Sequence, residues 1–337
     1  MLNLKTPYLG LELKNPIIAG ASNLCVDVQN LKKMEEAGAA AIVYKSLFEE
    51  QIQMESLQMD LDMQDYNDRN AEMTSLFPDL EHAGPREFLH NLKKARQAVS
   101  IPLIASINAV SEGSWTDYAR QVQETGVDAI ELNFYQGLAD ASRDGHSIIE
   151  AQVRILEQVK QKVNIPVSVK LSPFYTNIIR VVDMMDQAGA DGFVLFNRLF
   201  QPDINIDLEK HHFPYNLSCP EDMRLPLRYT GALYGEVNAS LCPNGGIFSG
   251  RDVIALLLAG ADAVQVVSTL YKHQIGHIAV MLREMEDWME SKGYADLESF
   301  RGKLSRRHIG DPFAYTRAQY IDILMKSEAI FNKYPMR

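Results

Sequence analysis

Two lysines stand out among the polar residues that end short apolar runs in this chain. Lys45 follows Ile42-Val43-Tyr44, and Lys170 follows Val167-Ser168-Val169. A buried ammonium group without a partner is costly, so the pattern indicates that an anionic group meets each lysine. Three further runs end in asparagine, at Asn108, Asn133 and Asn197.

Two other run ends carry small residues, Gly245-Gly246 and Ser268-Thr269. Glycines let a backbone approach a ligand closely, and the second pair offers hydroxyl and N–H groups, so both turns together predict a phosphate site. A phosphate site beside two lysines suggests flavin mononucleotide (FMN), because a lysine stabilises the anionic reduced ring. A Schiff-base aldolase or lyase that uses Lys170 is the competing interpretation.

Eight short apolar runs separated by amphipathic segments carry these residues. Four runs follow glycine-centred corners, around Gly38, Gly126, Gly189 and Gly260, and four contain an early proline, at Pro16, Pro102, Pro166 and Pro243. Such runs are typical of buried parallel strands. Eight βα units predict a (β/α)₈ TIM barrel, with the polar run ends gathered at its mouth. An open doubly wound sheet is the rival fold, but no G-x-G-x-x-G motif follows the first run.

The length of 337 residues exceeds the roughly 250 residues of a plain barrel, and we expect one domain over residues 1–337. The surplus has three predicted locations. Leu9 to Lys14 alternate as a hairpin across the barrel bottom, residues 48–90 form an insertion after strand two, and residues 294–337 form a C-terminal helical extension.

Composition narrows the class of protein. The net charge of −11 argues against a nucleic-acid partner. We expect no membrane association, because no apolar run approaches the ~18 residues of a membrane span and no charged-then-apolar leader begins the chain. The three cysteines have no C-x-x-C spacing and the eight histidines no metal-ligand spacing, which predicts no metal and a reducing cytoplasmic location.

The order of the motifs resembles the dihydroorotate dehydrogenases, most closely the soluble class 1 enzymes, over residues 4–304. The matching motifs are Asn15-Pro16 leading to Ala21-Ser22, Lys45-Ser46, Glu131-Leu132-Asn133, Val169 to Pro173, Gly245 to Asp252 and Phe300 to Leu304. The resemblance implies a homodimeric FMN barrel of pyrimidine biosynthesis. Dihydroorotate would pass a hydride to flavin N5, while a base removes a proton from the neighbouring carbon.

The resemblance also implies roles for individual residues. FMN would be held by Ala21, Ser22, Lys45, Ser46, Asn108, Asn133, Lys170, Gly245, Gly246, Ser268 and Thr269. Lys45, Asn133 and Asn197 would also border the substrate. Arg198 adds a cation directly after strand six that is able to clamp a substrate carboxylate.

The catalytic loop departs from the family pattern. Class 1 enzymes follow strand four with N-L-S-C-P-N, whose cysteine is the base, whereas Gln136 occupies that position here beside Tyr135. An amide does not accept a proton, and tyrosine has an ordinary pKa near 10. The letters N-L-S-C-P recur at Asn216 to Pro220, so Cys219 is a further candidate base. The catalytic candidates are Lys45, Tyr135, Gln136 and Cys219.

The substrate loop departs as well, since the family's N-S-M-G-L-P-N corresponds to Thr74 through Asp79 here. Two alternatives to dihydroorotate oxidation therefore stay open. The chain is either a divergent flavoprotein with another small substrate, or an electron-transfer or regulatory component without turnover of its own. The electron acceptor is also open between a partner subunit, fumarate and a quinone.

Overall fold

The computed structural model describes residues 2–49, 86–108, 112–134, 142, 144–198, 203–212, 216–310, 315, 321 and 324–325. Its strands are β1 (Thr6–Tyr8), β2 (Leu11–Leu13), β3 (Ile17–Ala19), β4 (Ala41–Phe48), β5 (Leu103–Asn108), β6 (Ala129–Asn133), β7 (Val167–Leu171), β8 (Gly192–Leu195), β9 (Asp203–Asn205), β10 (Lys210–His212), β11 (Ser240–Pro243) and β12 (Val264–Val266).

Its helices are α1 (Val28–Glu36), α2 (Arg86–Ala98), α3 (Glu112–Gln123), α4 (Gly145–Lys162), α5 (Ile178–Gln187), α6 (Arg224–Leu233), α7 (Gly250–Ala259), α8 (Ser268–His273) and α9 (His277–Lys292). Short 3₁₀ turns lie at Asn23–Cys25 and Pro220–Met223. In the described part of the chain, no helix is long and apolar enough to cross a membrane.

The eight buried strands form one parallel sheet in the order β11-β8-β7-β6-β5-β4-β3-β12. The two end strands then meet, because Asn244 forms a parallel bridge with Gln265 and the Ala263 N–H donates to the Leu241 carbonyl at 3.4 Å. An open doubly wound sheet would leave these ends apart. The predicted (β/α)₈ barrel is therefore confirmed.

The strands alternate between the barrel interior and the helical layer. Val43, Ile104, Ala129, Val194 and Cys242 form an interior cluster, whereas their strand neighbours pack outward in a second cluster with the helices. The interior cluster also contains Tyr8, Leu9 and Leu13 of the β1–β2 hairpin. The predicted N-terminal hairpin is thus present, and its apolar side chains close the barrel floor.

Amphipathic spacing and capping explain the helices. In α5, Ile178, Val181, Val182 and Met185 are buried at three-to-four spacing, as the sequence pattern predicts. Ser249 begins α7 by accepting from the Asp252 N–H while the Asp252 carboxylate accepts from Ser249, which is a capping box. The S-G-R-D letters of the resemblance therefore start a barrel helix beside the mouth.

The two predicted additions are described only in part. Residues 50–85 of the expected 48–90 insertion lie outside the described residues, and Arg86 onward already belongs to barrel helix α2. The expected C-terminal extension begins with turns over residues 294–310, and its helical backbone is described at Ile321 and Leu324–Met325. The boundary of the insertion therefore lies earlier than residue 90.

Candidate active site

A cavity of about 490 Å³ opens at the carboxyl ends of the barrel strands. It is lined by residues that follow β3, β7, β8, β11 and β12, together with the segment before α6. Eight of the predicted site residues contribute to its wall: Ala21, Ser22, Lys170, Asn197, Arg198, Gly245, Gly246 and Ser268. The topology therefore gathers half of the sixteen predicted residues in the wall of one cavity.

The predicted residues of β4 lie at an irregular point of the sheet. Tyr44 pairs with Ala105, but the next pair is Leu47 with Ile107, so Lys45 and Ser46 together face one residue of β5. This extra residue is a β-bulge, which re-aims the side chains that follow it. Ser46 is buried and its hydroxyl lies 2.7 Å from the Ser106 hydroxyl, whereas Lys45 is half-buried.

The three predicted asparagines form a connected row. Asn197 donates its side-chain N–H to Asn133 Oδ1 at 2.9 Å, and Asn108 donates to the Asn133 backbone carbonyl at 3.0 Å. They come from β5, β6 and the end of β8. Asn108 and Asn133 are buried and are not part of the cavity lining, whereas Asn197 lines the cavity, so the row reaches the mouth through Asn197.

Lys170 belongs to a buried polar cluster at the cavity floor. Its Nζ donates to Gln265 Oε1 at 3.3 Å and lies 3.6 Å from Glu131 Oε1. Gln265 Nε2 donates to Glu131 Oε2 at 2.6 Å, and the Ser106 hydroxyl donates to Glu131 Oε1 at 3.2 Å. The expected anionic partner of Lys170 is therefore Glu131, at least from inside the barrel.

Sequence reasoning missed the partners of Lys170, although a signal was present. Glu131 interrupts the apolar run between Ile130 and Leu132, and Gln265 interrupts the run between Val264 and Val266. Both side chains are fully or almost fully buried. A buried polar residue requires a partner, and that requirement alone singles out both positions.

The turn at Gly245-Gly246 directly follows Asn244, which bridges to Gln265 of the Lys170 cluster. Gly245 and Gly246 have φ values of 101° and 71°, a left-handed backbone that favours glycine. A Cβ on Gly245 would meet nothing within 4 Å, whereas one on Gly246 would lie 2.3 Å from the Met223 backbone nitrogen. Gly245 therefore faces open space, and Gly246 permits close packing of the neighbouring segment.

That neighbouring segment is residues 216–222, which contains the repeated N-L-S-C-P letters. The Ser218 N–H donates to the Ser268 hydroxyl at 2.8 Å, and the Gly246 N–H donates to the Ser218 hydroxyl at 3.2 Å. Lys272 Nζ donates to the Ser218 carbonyl at 2.8 Å. The segment thus packs directly on both predicted phosphate turns. Ser218 lines the cavity, whereas Cys219 is an exposed free thiol outside the lining, and its role as a base stays a prediction.

Arg198 is engaged by the same segment. Its guanidinium donates to the Asn216 carbonyl at 2.5 Å, to Asp222 Oδ2 at 2.7 Å and to the Leu217 carbonyl at 3.3 Å. Burial raises the pKa of Asp222, but the Cys219 N–H and Arg198 outweigh that effect and hold the pKa below its ordinary value. Clamping of a substrate carboxylate by Arg198 would compete with these contacts.

Cys25 reports the electrostatics near the mouth. Its thiol donates to the Gly20 carbonyl at 3.3 Å and lies 3.6 Å from the Ser22 hydroxyl. Burial raises the pKa of Cys25 to about 11, while the hydrogen bonds with Ser22 and, more weakly, the positive charge of Lys170 oppose this shift. Tyr135 and Gln136 lie outside the described residues, as does the segment Thr74 to Asp79.

The donor set fits a phosphorylated flavin. Thr269 Oγ1 is fully buried and has no hydrogen-bond partner among the described residues, at the turn predicted to hold phosphate. A buried hydroxyl of this kind calls for a ligand or water. The open face of Gly245, the Lys170 ammonium and the asparagine row supply the remaining polar groups. Within the described ranges, no group of three or more His, Cys, Asp or Glu residues is arranged to hold a metal ion.

Comparisons with known proteins agree with this arrangement. The family model described as dihydroorotate dehydrogenase matches residues 79–289. A relative from Thermoplasma volcanium, the catalytic subunit of dihydroorotate dehydrogenase B (NAD(+)), is 28% identical over 315 residues, covering 91% of this chain and 100% of that protein. The protein of the same name from Methanosarcina acetivorans is 29% identical over 313 residues, 87% of this chain and 93% of its own.

A third relative, dihydroorotate dehydrogenase A (fumarate) from Lactobacillus helveticus, is 27% identical over 221 residues. That match covers 63% of this chain and 70% of the relative. The family match spans more than half of the chain and includes Lys170, both predicted phosphate turns and the 216–222 segment. This chain therefore belongs to the dihydroorotate dehydrogenase family, a family of oxidoreductases that act on CH–CH bonds.

Proposed function

We propose that this chain is an FMN-dependent oxidoreductase that moves a hydride between a small substrate and flavin N5. The observation that carries the proposal is the combination, in one cavity, of the buried Lys170 ammonium and the open turn at Gly245. The oxidation of dihydroorotate to orotate in pyrimidine biosynthesis is the leading reaction, because the relatives bear that enzyme name.

The residues divide between the two ends of the cofactor. Gly245, Ser268 and Thr269 would hold the phosphate through backbone N–H and hydroxyl groups, and Gly246 would turn the chain beside them. Lys170 Nζ would meet the ring, with Ala21 and Ser22 beside it, and the asparagine row would border the substrate. FMN, when bound, would supply the hydride acceptor.

Lys170 contributes charge in this scheme. Its ammonium is held by Gln265 and Glu131 at the cavity floor, where it stabilises negative charge that develops on a bound ring. A Schiff-base lysine must instead present a neutral amine to a carbonyl group. The ion pair with Glu131 favours the electrostatic role over the aldolase or lyase alternative.

The missing cysteine base for the proton-transfer step supports a second candidate function. Gln136 replaces the cysteine base of class 1 enzymes, and a positioned base is typically worth ~10²–10⁴ in rate. Unless Tyr135 or Cys219 substitutes, dihydroorotate should react slowly. A divergent flavoprotein with another small cyclic-amide or carboxylated substrate, or an electron-transfer component, is therefore the second candidate.

The proposal also covers the partners and the cellular location of this chain. The relatives' names specify catalytic subunits, NAD(+) and fumarate, which supports either an electron-transfer partner subunit or a soluble acceptor for this chain. We expect a homodimer in the cytoplasm. Light scattering of the purified chain would measure the oligomeric state, and co-purification from its host would detect a partner subunit.

A visible absorption spectrum tests the proposal directly. Purified protein should be yellow, should release FMN on heating, and should bleach anaerobically with dihydroorotate if that is the substrate. A yellow protein that dihydroorotate does not bleach and orotate does not perturb would favour the second candidate. Protein that stays colourless after incubation with FMN would contradict the cofactor itself. Trapping of a substrate by borohydride at Lys170 would support the lyase instead.

A further inference from the structure

Glu131 is a buried carboxylate that is not part of the cavity wall. It contacts Lys170 and Gln265, two polar side chains on the cavity floor. Its side chain is fully buried, and it is absent from the lining that Lys170 and Gln265 form. The inference drawn from this arrangement rests on the proposed flavin function. It concerns how the barrel holds the charge of Lys170.

The hydrogen bonds give Gln265 a single useful orientation. Its Nε2 donates to Glu131 Oε2 at 2.6 Å while its Oε1 accepts from Lys170 Nζ at 3.3 Å. Rotation of the amide by half a turn would break both contacts, since carboxylates accept and ammonium groups donate. The carboxylate of Glu131 therefore determines which atom Gln265 presents to Lys170.

The carboxylate is itself held from the far side. The Ser106 hydroxyl donates to Glu131 Oε1 at 3.2 Å, and the Ser46 hydroxyl lies 2.7 Å from the Ser106 hydroxyl. These side chains come from β4, β5 and β6, so a chain of hydrogen bonds crosses three neighbouring strands. Buried polar networks of this kind fix one geometry when every member is satisfied.

We propose that Glu131 is a positioning residue that holds the Lys170 ammonium in place and aimed at the cavity. Glu131 acts both directly, at 3.6 Å from Lys170 Nζ, and through the Gln265 amide. The ligand that benefits is the negatively charged reduced flavin. Glu131 is not part of the cavity lining, so it would touch neither cofactor nor substrate.

A neutral side chain could not replace Glu131, because the ammonium group of Lys170 carries a positive charge. An ammonium group in the barrel interior is costly unless a carboxylate offsets it, and loss of one partner of a buried pair is more damaging than loss of both. The paired charges also act oppositely on Cys242 inside the barrel. Burial raises the pKa of that thiol, Glu131 raises it further, and Lys170 lowers it.

The test compares FMN-loaded variants by cofactor affinity and redox potential. Glu131→Gln removes the charge with little change of shape, Glu131→Asp keeps the charge one methylene further away, and Lys170→Met removes the cation. Asp262→Asn is the matched control, because Asp262 is a half-buried carboxylate at the other end of the barrel. Dissociation constants for oxidised and reduced FMN, the midpoint potential and urea unfolding are measured for each.

Glu131→Gln should weaken binding of reduced FMN about tenfold more than binding of oxidised FMN, which lowers the two-electron potential by ~30 mV. Glu131→Asp should shift the potential in the same direction by less. Lys170→Met should give the largest shift, and adding Glu131→Gln to it should produce no further change. Asp262→Asn should lose stability while the ratio of the two FMN affinities stays at the wild-type value.

Three results would overturn the inference. Glu131→Gln with a wild-type potential would assign Glu131 to stability alone, and a potential that rises would make Glu131 an opposing charge. An additive shift in the double variant would mean that Glu131 does not act through Lys170. Wild-type protein that binds no FMN overturns the proposed function as well, so the two failures are distinguishable. If Glu131→Gln does not fold, the direction in which Glu131→Asp shifts the midpoint potential decides instead.

Discussion

Two buried cations lie at opposite ends of this barrel, and they are partnered differently. At the barrel floor, which the N-terminal hairpin closes, Arg301 donates to the Ala261 carbonyl, to the Thr6 hydroxyl at 2.7 Å and to Glu298 Oε1 at 2.8 Å. At the mouth, Lys170 has one hydrogen bond of 3.3 Å and one ion-pair contact of 3.6 Å within the part of the chain that the structure describes. Their side chains are 4% and 5% exposed, so burial does not distinguish them.

The difference in partners separates a structural cation from a functional one. The contacts of Arg301 join the N-terminal hairpin, the turn before β12 and the segment after α9, and Asp262 lies a further 3.6 Å away. Its guanidinium donors are used within the protein. Lys170 keeps donor capacity on the side of the cavity, which is where a ligand would meet it.

The prediction with the largest expected effect tests whether Arg301 is a structural cation. Arg301→Met removes a buried cation and leaves the Thr6 hydroxyl and the Ala261 carbonyl without their donor. We expect the free energy of unfolding, measured by urea titration, to fall by about 3–5 kcal/mol, because a buried acceptor that loses its donor typically costs ~1–3 kcal/mol. FMN affinity of the folded fraction should change little, because distant sites act independently.

Lys303→Met provides the matched control for Arg301→Met. Lys303 lies two residues away and donates to the Tyr294 hydroxyl at 3.1 Å on the exposed surface. Its substitution should cost less than about 0.5 kcal/mol. Loss of FMN affinity in Arg301→Met without loss of stability would break the division between the two cations.

Much of the barrel could be predicted from the sequence because its signals are local. Proline and glycine corners, short apolar runs and amphipathic spacing each lie within about ten residues, and the structure places eight strands where those patterns fall. Lys170 and the two small-residue turns were likewise visible, since each ends such a run. A barrel then brings run ends together without further information.

The missed features depend on contacts that no local pattern contains. Glu131 and Gln265 are separated by 134 residues and meet only across the closed barrel. The bulge at Lys45-Ser46 shifts the register by one residue, so the pairing of Ser46 with Ser106 could not be read from strand alternation. The packing of the N-L-S-C-P segment on Gly246 and Ser268 through Ser218 is likewise a contact between distant parts of the chain, and the role of Cys219 as a base stays a prediction.

A second prediction uses Cys25 to sharpen the comparison at the mouth. Burial raises the pKa of this thiol from 9.0 to about 11, so the folded protein keeps the proton where the unfolded chain loses it. The unfolded state is therefore favoured increasingly as pH rises from about 9 to about 11, by roughly 2–3 kcal/mol over that interval. Cys25→Ala should lack this part of the alkaline fall in the free energy of unfolding.

The two cation variants serve as controls for the Cys25 titration. Lys170 lowers the pKa of Cys25, so Lys170→Met should extend the alkaline fall to higher pH, whereas Arg301→Met should leave its pH range unchanged. Urea titrations at several pH values between 8 and about 11 would measure each curve. Equal shifts in both variants would mean that the field of Lys170 is not specific to the mouth.

The smallest expected effect concerns Arg198, a third cation, which lines the cavity but is saturated in the manner of Arg301. Its three donations hold the segment 216–222, which packs on Gly246 and Ser268. Arg198→Ala should therefore loosen that segment and speed FMN dissociation about five- to tenfold, with most of the change in the off-rate. The KM for substrate should stay near the wild-type value.

The interpretation of Arg198 as a substrate clamp makes the opposite prediction, a raised KM with an unchanged FMN off-rate. Stopped-flow dissociation of FMN and steady-state kinetics on the same preparations would separate the two roles. Arg180→Ala is the control, because Arg180 pairs with Asp183 on the exposed face of α5 and should alter neither quantity. An increased KM would show that a substrate carboxylate displaces the present contacts of Arg198. A cation at the mouth would then act on the substrate even though backbone carbonyls occupy its donors in the structure.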